Sequence, residues 1–316
     1  MTINDFNNVF FIGIAGAGMS AIAQYLQGTG KKVSGSDRYF TPETPNETRD
    51  KLEAEGIQCF MQDGSGITTA TDLVVVSTAI EDTVFEVKKA GELNIPILKR
   101  SQVLALISES KKTIAVGGTS GKSTTSAMIF DIMQHAGLEP SIISGAGLTS
   151  IIREGKIGNA KVGKGDWLVI EADESDGSIV QYHPEIGLLL NVEKDHQEID
   201  ELMQIFSTFR DNTKDIFITN RSNSLAAGIS SDLKNDFSVD ENSTSGFQGL
   251  NFSQQGFEIS FTVNDVPVKL NTVGKHNMEN ALAAIAVVSR VGVSLQTAAQ
   301  ALAKYEGIYR RHQIIG

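Results

Sequence analysis

The sequence predicts an α/β protein in which a Rossmann-like N-terminal domain is followed by a P-loop α/β domain. Two glycine-rich segments support this prediction, because each follows a short apolar strand and opens a helix, at residues 13–21 and 115–125. Strands and helices also alternate through the first third of the chain. The strands are continuous β-branched runs such as Val-Val-Val at 74–76, which are typical of strands buried on both faces of a parallel sheet.

The predicted elements of the first domain follow one another as strands and helices. They are strands over 9–14, 32–35, 73–77 and 95–98, and helices over 19–26, 84–93 and 103–108. Right-handed connections between parallel strands turn this order into a Rossmann-like sheet. The polar, charged residues 108–112 form the predicted boundary, so the two domains would be residues 1–108 and 109–316.

The second domain begins with the strand that enters the second glycine-rich segment. Its predicted strands are 113–116, 167–171, 186–192, 215–219, 257–263 and 266–270, and its predicted helices are 123–135, 202–209, 277–291 and 295–303. Asn264-Asp265 predicts a hairpin turn between two alternating strands. Residues 145–165 and 239–256 are polar and rich in Gly or Ser, so they are predicted to be loops.

Composition excludes several classes of function. The 316 residues carry a formal net charge of −11 and no basic stripe, which argues against a nucleic-acid partner. Cys59 is the only cysteine, so there is no internal disulfide framework and a reducing compartment is expected. The polar start of the chain and the lack of a membrane-length apolar run lead us to expect a cytoplasmic protein without a membrane partner.

The second glycine-rich segment has the pattern of a phosphate-binding loop. Backbone N–H groups of such a loop cradle phosphates, its lysine reaches the terminal phosphates, and its hydroxyl completes a Mg²⁺ site. Val116 stands where the usual pattern has its first glycine. A glycine-rich helix entry without a ligand is the alternative, but it does not explain Lys-Ser-Thr-Thr at 122–125. The predicted nucleotide-binding residues are Gly118, Thr119, Ser120, Gly121, Lys122, Ser123 and Thr124.

The first glycine-rich segment fits the Gly-x-Gly-x-x-Gly/Ala pattern at Gly16, Gly18 and Ala21. Such glycines let the backbone approach a diphosphate at a helix N-terminus. Asp37 follows the second strand, where an acid that binds a ribose would lie. The pattern does not identify the nucleotide, and a tight strand–helix turn without a ligand is the alternative.

Acidic residues follow two further strands of the second domain. Glu171, Asp173, Glu174 and Asp176 follow one strand, and residues 193–196 with His196 follow the other. Both strand ends are expected at the sheet edge that carries the phosphate loop. A cluster of carboxylates there favours a Mg²⁺ site, although any single acid could be a solvated loop charge. His196 could equally be structural or a metal ligand.

Two asparagines open a long helix near the end of the chain. Asn277 and Asn280 are three residues apart and therefore share a helix face. Asn277 could simply cap the helix. Alternatively, both side chains face a ligand.

Seven segments together resemble the Mur ligases, and within that family the alanine-adding branch. They occur in the family's order at residues 13–20, 76–80, 118–125, 171–176, 191–196, 274–283 and 309–311. The interval from Glu171 to His196 also suits the alanine-adding branch. Three positions depart from that branch, which commonly has histidine at Ser120, threonine at Ser123 and arginine at Lys275.

The resemblance implies a role for each matched residue. Lys122, Glu171, His196, Arg310 and Arg311 would be catalytic, and Ser123, Glu171 and His196 would hold Mg²⁺. Asn277 and Asn280 would join the phosphate loop in binding ATP. The UDP part of the substrate would contact Gly16, Ala17, Gly18, Met19, Ser20, Asp37, Ser77 and Thr78.

The implied activity is an ATP-dependent amide ligase of peptidoglycan synthesis. Its cofactors would be ATP and Mg²⁺, and it would join L-alanine to UDP-N-acetylmuramate through an acyl phosphate. The alternatives are a ligase that adds a recycled murein tripeptide to the same UDP-sugar, an NAD-dependent oxidoreductase, and a non-catalytic nucleotide-binding module. Mur ligases have a third, C-terminal domain. We expect residues 1–316 to lack it and to be inactive as a ligase without it.

Overall fold

The computed structural model describes residues 1–77, 80, 81, 83–194 and 198–309. Its first sheet holds five parallel strands in the order β3-β2-β1-β4-β5. The strands are β1 (Asn8–Ile12), β2 (Lys32–Asp37), β3 (Gln58–Met61), β4 (Leu73–Val76) and β5 (Ile97–Lys99). The helices of this half are α1 (Ala17–Gly28), α2 (Glu47–Ala54), α3 (Phe85–Glu92) and α4 (Arg100–Glu109). Because the strand order reverses at β1, a crevice opens where β1, β2 and β4 end.

The second sheet places the strand of the phosphate loop between two others. Its order is β11-β10-β6-β9-β7-β8, and only β8 runs antiparallel to its neighbour. The strands are β6 (Lys112–Gly117), β7 (Ser141–Ile143), β8 (Ala160–Lys161), β9 (Trp167–Glu171), β10 (Ile186–Leu189) and β11 (Ile216–Thr219). The accompanying helices are α5 (Lys122–His135), α6 (Thr149–Ile152), a 3₁₀ helix (Ser178–Gln181), α7 (Ile199–Asn212) and α8 (Ser224–Ala227).

A third sheet and two helices complete the second half. The sheet has the order β12-β13-β14-β15, with strands β12 (Phe237–Ser238), β13 (Phe247–Gln255), β14 (Glu258–Val263) and β15 (Val266–Leu270). Helices α9 (Lys275–Arg290) and α10 (Leu295–Leu302) follow. Almost the whole of α9 between Met278 and Val288 is buried, because it packs between α5 and the third sheet. The N-terminus of α9 is thereby brought beside the phosphate loop.

One hydrophobic cluster runs through both halves of the molecule. It includes Ile22 and Leu26 of α1, Leu104 of α4, and Leu168 and Ile170 of β9. The two parallel sheets are therefore not separated by a solvated linker. Residues of both halves instead pack into this one shared cluster.

The structure confirms the predicted fold class and most predicted elements, with differences of a few residues at their ends. The Asn264-Asp265 turn is also confirmed, because both residues have positive φ, at 45° and 68°. The loop prediction for 239–256 is wrong, since β13 occupies Phe247–Gln255. Most of that strand is solvent-exposed, so its sequence lacks the apolar alternation of a half-buried strand.

The prediction of an unbroken loop over 145–165 is likewise wrong, because it contains α6 and β8. Each is very short, so neither leaves a periodic pattern. The elements α2, β3, β7, α8, β12 and the 3₁₀ helix were not predicted either. None of the helices in the described part of the chain is both long and apolar enough to cross a membrane.

A buried carboxyl in α5 makes stability depend on pH. Ser150 Oγ donates to Asp131 Oδ1 at 3.0 Å, and burial raises the pKa of Asp131 to about 6 from its usual 3.8. The folded state therefore binds this proton more tightly, and its stability falls as pH rises between these two values. Asp131→Asn keeps the acceptor for Ser150 without a charge.

We expect Asp131→Asn to raise the free energy of unfolding at pH 7 by about 2 kcal/mol. The gain should shrink as pH falls toward 4, where Asp131 of the wild type also becomes neutral. Urea unfolding of both proteins at pH 7 and pH 4.5 measures this. A variant less stable than the wild type at pH 7 would contradict the assignment of a charge penalty to Asp131.

Candidate active site

The phosphate loop between β6 and α5 depends on glycine at two positions. Gly118 has φ of 136° and Gly121 has φ of 85°, values that other residues rarely adopt. A Cβ on Gly121 would also lie 2.6 Å from Asn280 Oδ1. The close packing of the loop against α9 therefore leaves no room for a side chain at Gly121.

Asn191, which follows β10, fixes the shape of this loop. Its Oδ1 accepts from Thr119 Oγ1 and from the N–H of Ser120, both at 2.9 Å. Its Nδ2 donates to the carbonyl of Ser120 at 3.1 Å. In the sequence, Asn191 stands out only as part of the matched segment at residues 191–196. Its position after the strand beside β6 is the signal that could have identified it.

The N-terminus of α5 suits an anion. Among the described residues no side chain caps it, and its first turn carries no acidic residue. The N–H groups of that turn are left without helical partners, and the helix dipole adds positive potential there. A phosphate group would satisfy both.

Lys122 is held in an ion pair with Glu174. Its Nζ lies 2.8 Å from Glu174 Oε2 and 3.1 Å from Oε1, and it donates to the carbonyl of Gly118 at 2.7 Å. The Glu174 side chain is only 7% exposed. The Lys122 ammonium group is therefore largely buried and already paired, and Glu174 is held in place although it lies in the loop after β9. Phosphates that enter the loop would compete with Glu174 for the ammonium group.

Glu171 ends β9 in a net of three donors. Ser123 Oγ donates to its Oε2 at 2.9 Å, while Ser144 Oγ and the N–H of Gly145 donate to its Oε1 at 2.6 and 2.8 Å. Pairing of Val116 with Glu171 in the parallel register brings this carboxylate to the foot of the phosphate loop. The predicted proximity of Ser123 and Glu171 is thus observed.

The pair formed by Ser123 and Glu171 fits a Mg²⁺ ion. Hydroxyl and carboxylate oxygens are the hard ligands that Mg²⁺ takes, and adjacent ligands at about 2.1 Å from the ion lie ~2.9 Å apart. The two oxygens are 2.9 Å apart here. Within the described residues no group of three or more His, Cys, Asp or Glu side chains could hold a metal. Mg²⁺ held by one or two protein oxygens usually completes its coordination with phosphate oxygens and water.

A cleft of about 500 Å³ extends from the phosphate loop to α9. Polar side chains line most of it, and burial raises the pKa of one of them, Glu279. The lining comprises Ser120, Gly121, Thr124, Leu190, Asn191, Glu193, Asn220, Ser222, Asn223, Phe237, His276, Glu279 and Asn280. Its volume suits a small-molecule ligand, and its position suits the nucleoside part of a nucleotide whose phosphates occupy the loop.

The two predicted asparagines occupy different places. Asn280 lines the large cleft, and its Oδ1 accepts from Thr125 Oγ1 at 3.3 Å. Asn277 donates to Thr272 Oγ1 at 2.9 Å and to the carbonyl of Val273 at 2.8 Å, so it supports the turn that enters α9. It lines a separate cavity of about 30 Å³. Only Asn280 faces the predicted ATP site directly.

The first domain carries a second cleft, of about 430 Å³, where β1, β2 and β4 end. Gly16 and Asp37 line it with Arg38 and Tyr39. Asp37 Oδ2 accepts from the N–H of Ala15 at 3.0 Å and its Oδ1 accepts from the N–H of Tyr39 at 3.1 Å. The carboxylate therefore shapes the glycine loop as well as facing the cleft.

The other residues that were predicted to contact the UDP part of the substrate lie in different surroundings. Gly16 precedes α1, whose first turn has no acidic residue and no side-chain cap from the described residues. Met19 and Ser20 are buried, and Ser77 follows β4 and is half-buried. Ala17 and Ser20 instead line a cavity of about 400 Å³ between the two domains.

The two glycine-rich loops meet at a small cavity of about 80 Å³. Gly18 and Arg100 of the first half line it, together with Lys122, Glu171 and Asp173 of the second half. Arg100 Nη2 lies 3.3 Å from Asp176 Oδ2, and its side chain covers Gly18. Arg100 was not predicted as a site residue, because its neighbours in the site are distant in the sequence.

Four predicted site residues lie outside the described residues. They are Thr78, His196, Arg310 and Arg311. Their roles stay predictions from the sequence.

Two family models match the chain in the order of its domains. Residues 8–112 match the model for the Mur ligase family, catalytic domain, and residues 116–288 match the model for the Mur ligase middle domain. A UDP-N-acetylmuramate–L-alanine ligase from Syntrophomonas wolfei is 37% identical over 98% of this chain and 68% of the relative. The chain thus spans about two thirds of the length of that relative.

Solved structures show the same similarity. A UDP-N-acetylmuramate–alanine ligase from Thermotoga maritima superposes with a TM-score of 0.83 at 28% identity, over 96% of this chain and 70% of the other. A murein peptide ligase from Psychrobacter arcticus also reaches a TM-score of 0.83, at 26% identity, over 98% of this chain and 70% of the other. Backbone similarity therefore does not distinguish between the two kinds of ligase.

Proposed function

This chain belongs to the Mur ligase family, and we propose that it carries the UDP-sugar and ATP sites of a ligase that joins L-alanine to UDP-N-acetylmuramate. One observation carries the proposal. The cavity between the domains brings Gly18 and Arg100 of the first domain against Lys122 of the phosphate loop and Glu171 at the end of β9. Two substrates bound in the two clefts would meet there.

The proposed reaction has two steps. A carboxylate oxygen of the muramate attacks the γ-phosphorus of ATP, and ADP leaves. The amine of L-alanine then attacks the carbonyl carbon of the acyl phosphate, and phosphate leaves with the former carboxylate oxygen. Both steps need reactants held in line and negative charge compensated, rather than covalent chemistry by the protein.

The described residues supply these two effects. The N–H groups of the phosphate loop and Lys122 would bind the β- and γ-phosphates. Ser123 and Glu171 would hold Mg²⁺, which compensates the charge that develops on the phosphates. Arg100 lines the same cavity, where its guanidinium would orient the muramate carboxylate. Asn280 would border the nucleoside in the large cleft.

L-alanine is the amine that the relatives favour. The curated relatives that match over nearly the whole chain are named UDP-N-acetylmuramate–L-alanine ligases. The murein tripeptide remains the second candidate because a murein peptide ligase shares the fold to the same degree. Mass spectrometry of reactions that contain either amine would identify the product.

The test of the proposed function is ADP release that depends on UDP-N-acetylmuramate. ADP should form from Mg²⁺–ATP only when the UDP-sugar is present, because its carboxylate is the acceptor of the phosphoryl group. ADP release that is unchanged by the UDP-sugar, or none with it, would contradict the proposal.

We expect a polypeptide of residues 1–316 to release ADP slowly and to form no amide. An acyl phosphate formed in the cavity between the domains would be hydrolysed unless water is excluded from it. Detection of UDP-N-acetylmuramoyl-L-alanine by mass spectrometry at ordinary enzyme concentrations would show that these residues suffice.

The cleft of the first domain should bind a UDP-sugar and not NAD. Asp37 is already held by the N–H groups of Ala15 and Tyr39, and a separate phosphate loop provides for ATP. Calorimetric titration of the whole chain with UDP-N-acetylmuramate, and separately with NAD, tests this. Tight NAD binding without UDP-sugar binding would favour an oxidoreductase instead.

A further inference from the structure

Asn159 ties the second domain to the glycine loop of the first. It lies just before β8 and is 2% exposed. Its Nδ2 donates to the carbonyl of Ala17 at 2.7 Å and to Ser20 Oγ at 2.9 Å, and its Oδ1 accepts from Gln24 Nε2 at 2.7 Å. Both amide hydrogens and the amide oxygen are therefore bonded to α1, so Asn159 follows any movement of that helix.

The backbone of Asn159 leads directly to Glu171. The N–H of Ser144 donates to the carbonyl of Asn159 at 2.9 Å. Ser144 Oγ then donates to Glu171 Oε1 at 2.6 Å. Since Ser123 Oγ bonds the other oxygen of this carboxylate, a continuous chain of hydrogen bonds joins the first turn of α1 to the phosphate loop.

A second contact between the two domains lacks this continuation. Lys156 Nζ lies 3.3 Å from Glu55 Oε2, a bridge from the same segment of the second domain to the loop after α2. Within the described part of the chain, no hydrogen bond carries that bridge on to Glu171. The two contacts thus form a natural pair for comparison, because both join the domains and only one leads to the proposed metal carboxylate.

We propose that Asn159 is a positioning residue that couples the UDP-sugar site to the Mg²⁺–ATP site. The inference rests on the proposed function, since it assumes that these two ligands occupy the two loops. A diphosphate bound by the N–H groups of the first turn of α1 fixes Ala17 and Ser20, and with them Asn159. Asn159 in turn fixes Ser144 and the orientation of Glu171. Each ligand therefore favours the arrangement that the other needs, and the coupling is reciprocal.

The experiment measures coupling rather than affinity alone. Calorimetry on the whole chain gives the Kd of Mg²⁺–AMP-PNP, a non-hydrolysable ATP analogue, with and without saturating UDP-N-acetylmuramate. We expect the UDP-sugar to tighten binding at least about fivefold in the wild type. In Asn159→Ala the change should fall within about twofold. A purely structural role would weaken each ligand alone and leave the ratio unchanged.

Matched variants make the test specific. Lys156→Ala removes the other bridge and should keep the wild-type coupling. Ser144→Ala should abolish coupling, and adding Asn159→Ala to it should change the ratio no further. Asn159→Asp, which is isosteric and keeps the contact from Gln24, replaces Asn159→Ala if the alanine variant does not fold, and it should lose coupling as well.

The outcomes separate the inference from the proposed function. If the wild type binds neither ligand, the proposed function fails and takes the inference with it. If the wild type binds both without coupling, or if coupling survives in Asn159→Ala or Asn159→Asp, the inference alone is overturned. Loss of coupling in Lys156→Ala would also overturn it, because any loosening of the domains would then suffice.

Discussion

Replacing Lys122 by alanine should lower ATP-dependent turnover at least about a hundredfold, the cost of removing a preorganised donor from a developing charge. The ammonium group lies inside the phosphate loop, bonded to the carbonyl of Gly118 and paired with Glu174. Phosphates that replace Glu174 as its partner gain a charge-assisted contact. Calorimetry with Mg²⁺–AMP-PNP should show the same loss in affinity.

The fold must be checked in the same experiment, because Lys122→Ala leaves the largely buried carboxylate of Glu174 without that ammonium group. Removing one partner of a buried pair is destabilising in itself. The double variant Lys122→Ala/Glu174→Gln removes this charge and should be as inactive as the single variant. Lys269→Ala, on the exposed β14–β15 hairpin, is the matched control and should keep the wild-type rate of ADP release. Unchanged nucleotide affinity in Lys122→Ala would refute the assignment of the phosphate site.

Replacing Glu171 by glutamine should raise the Mg²⁺ concentration needed for half-maximal nucleotide binding at least about tenfold. The change removes the charge that would face the ion. Its amide oxygen can still accept from Ser144 and Gly145, so the NH2 group falls at the position that faces Ser123 and the proposed ion. Glu174→Gln is the matched variant, because it makes the same chemical change three residues along the chain.

In Glu174→Gln we expect only a small change in Mg²⁺ dependence. Its carboxylate faces Lys122 rather than Ser123, so it is not the predicted metal ligand. AMP-PNP binding measured against Mg²⁺ concentration compares the two variants. A larger effect in Glu174→Gln than in Glu171→Gln would show that the metal lies elsewhere.

The features that could be predicted from the sequence are those encoded by neighbouring residues. Gly118, Gly121 and Lys122 lie within one turn, so their spacing alone indicates a phosphate loop. Glu171 follows an apolar strand, and the parallel sheet brings that strand end beside the loop. These inferences needed no knowledge of contacts between distant parts of the chain.

The features that were missed depend on such distant contacts. Asn191 meets the phosphate loop from 71 residues away, Asn159 meets α1 from 142 residues away, and Arg100 meets Asp176 from 76 residues away. An asparagine before a two-residue strand carries no local sign of these contacts. The pairing of Lys122 with Glu174 was likewise invisible, because it depends on how the loop after β9 folds back.

The central claim is that one chain holds two separate ligands whose reacting ends meet between its domains. The most direct test is a calorimetric titration of the whole chain with UDP-N-acetylmuramate in the presence of saturating Mg²⁺–AMP-PNP. We predict that one UDP-sugar binds per chain with the analogue still bound, and that Lys122→Ala impairs binding of the analogue. Competition between the two ligands for a single site, or no binding of the UDP-sugar, would contradict the account.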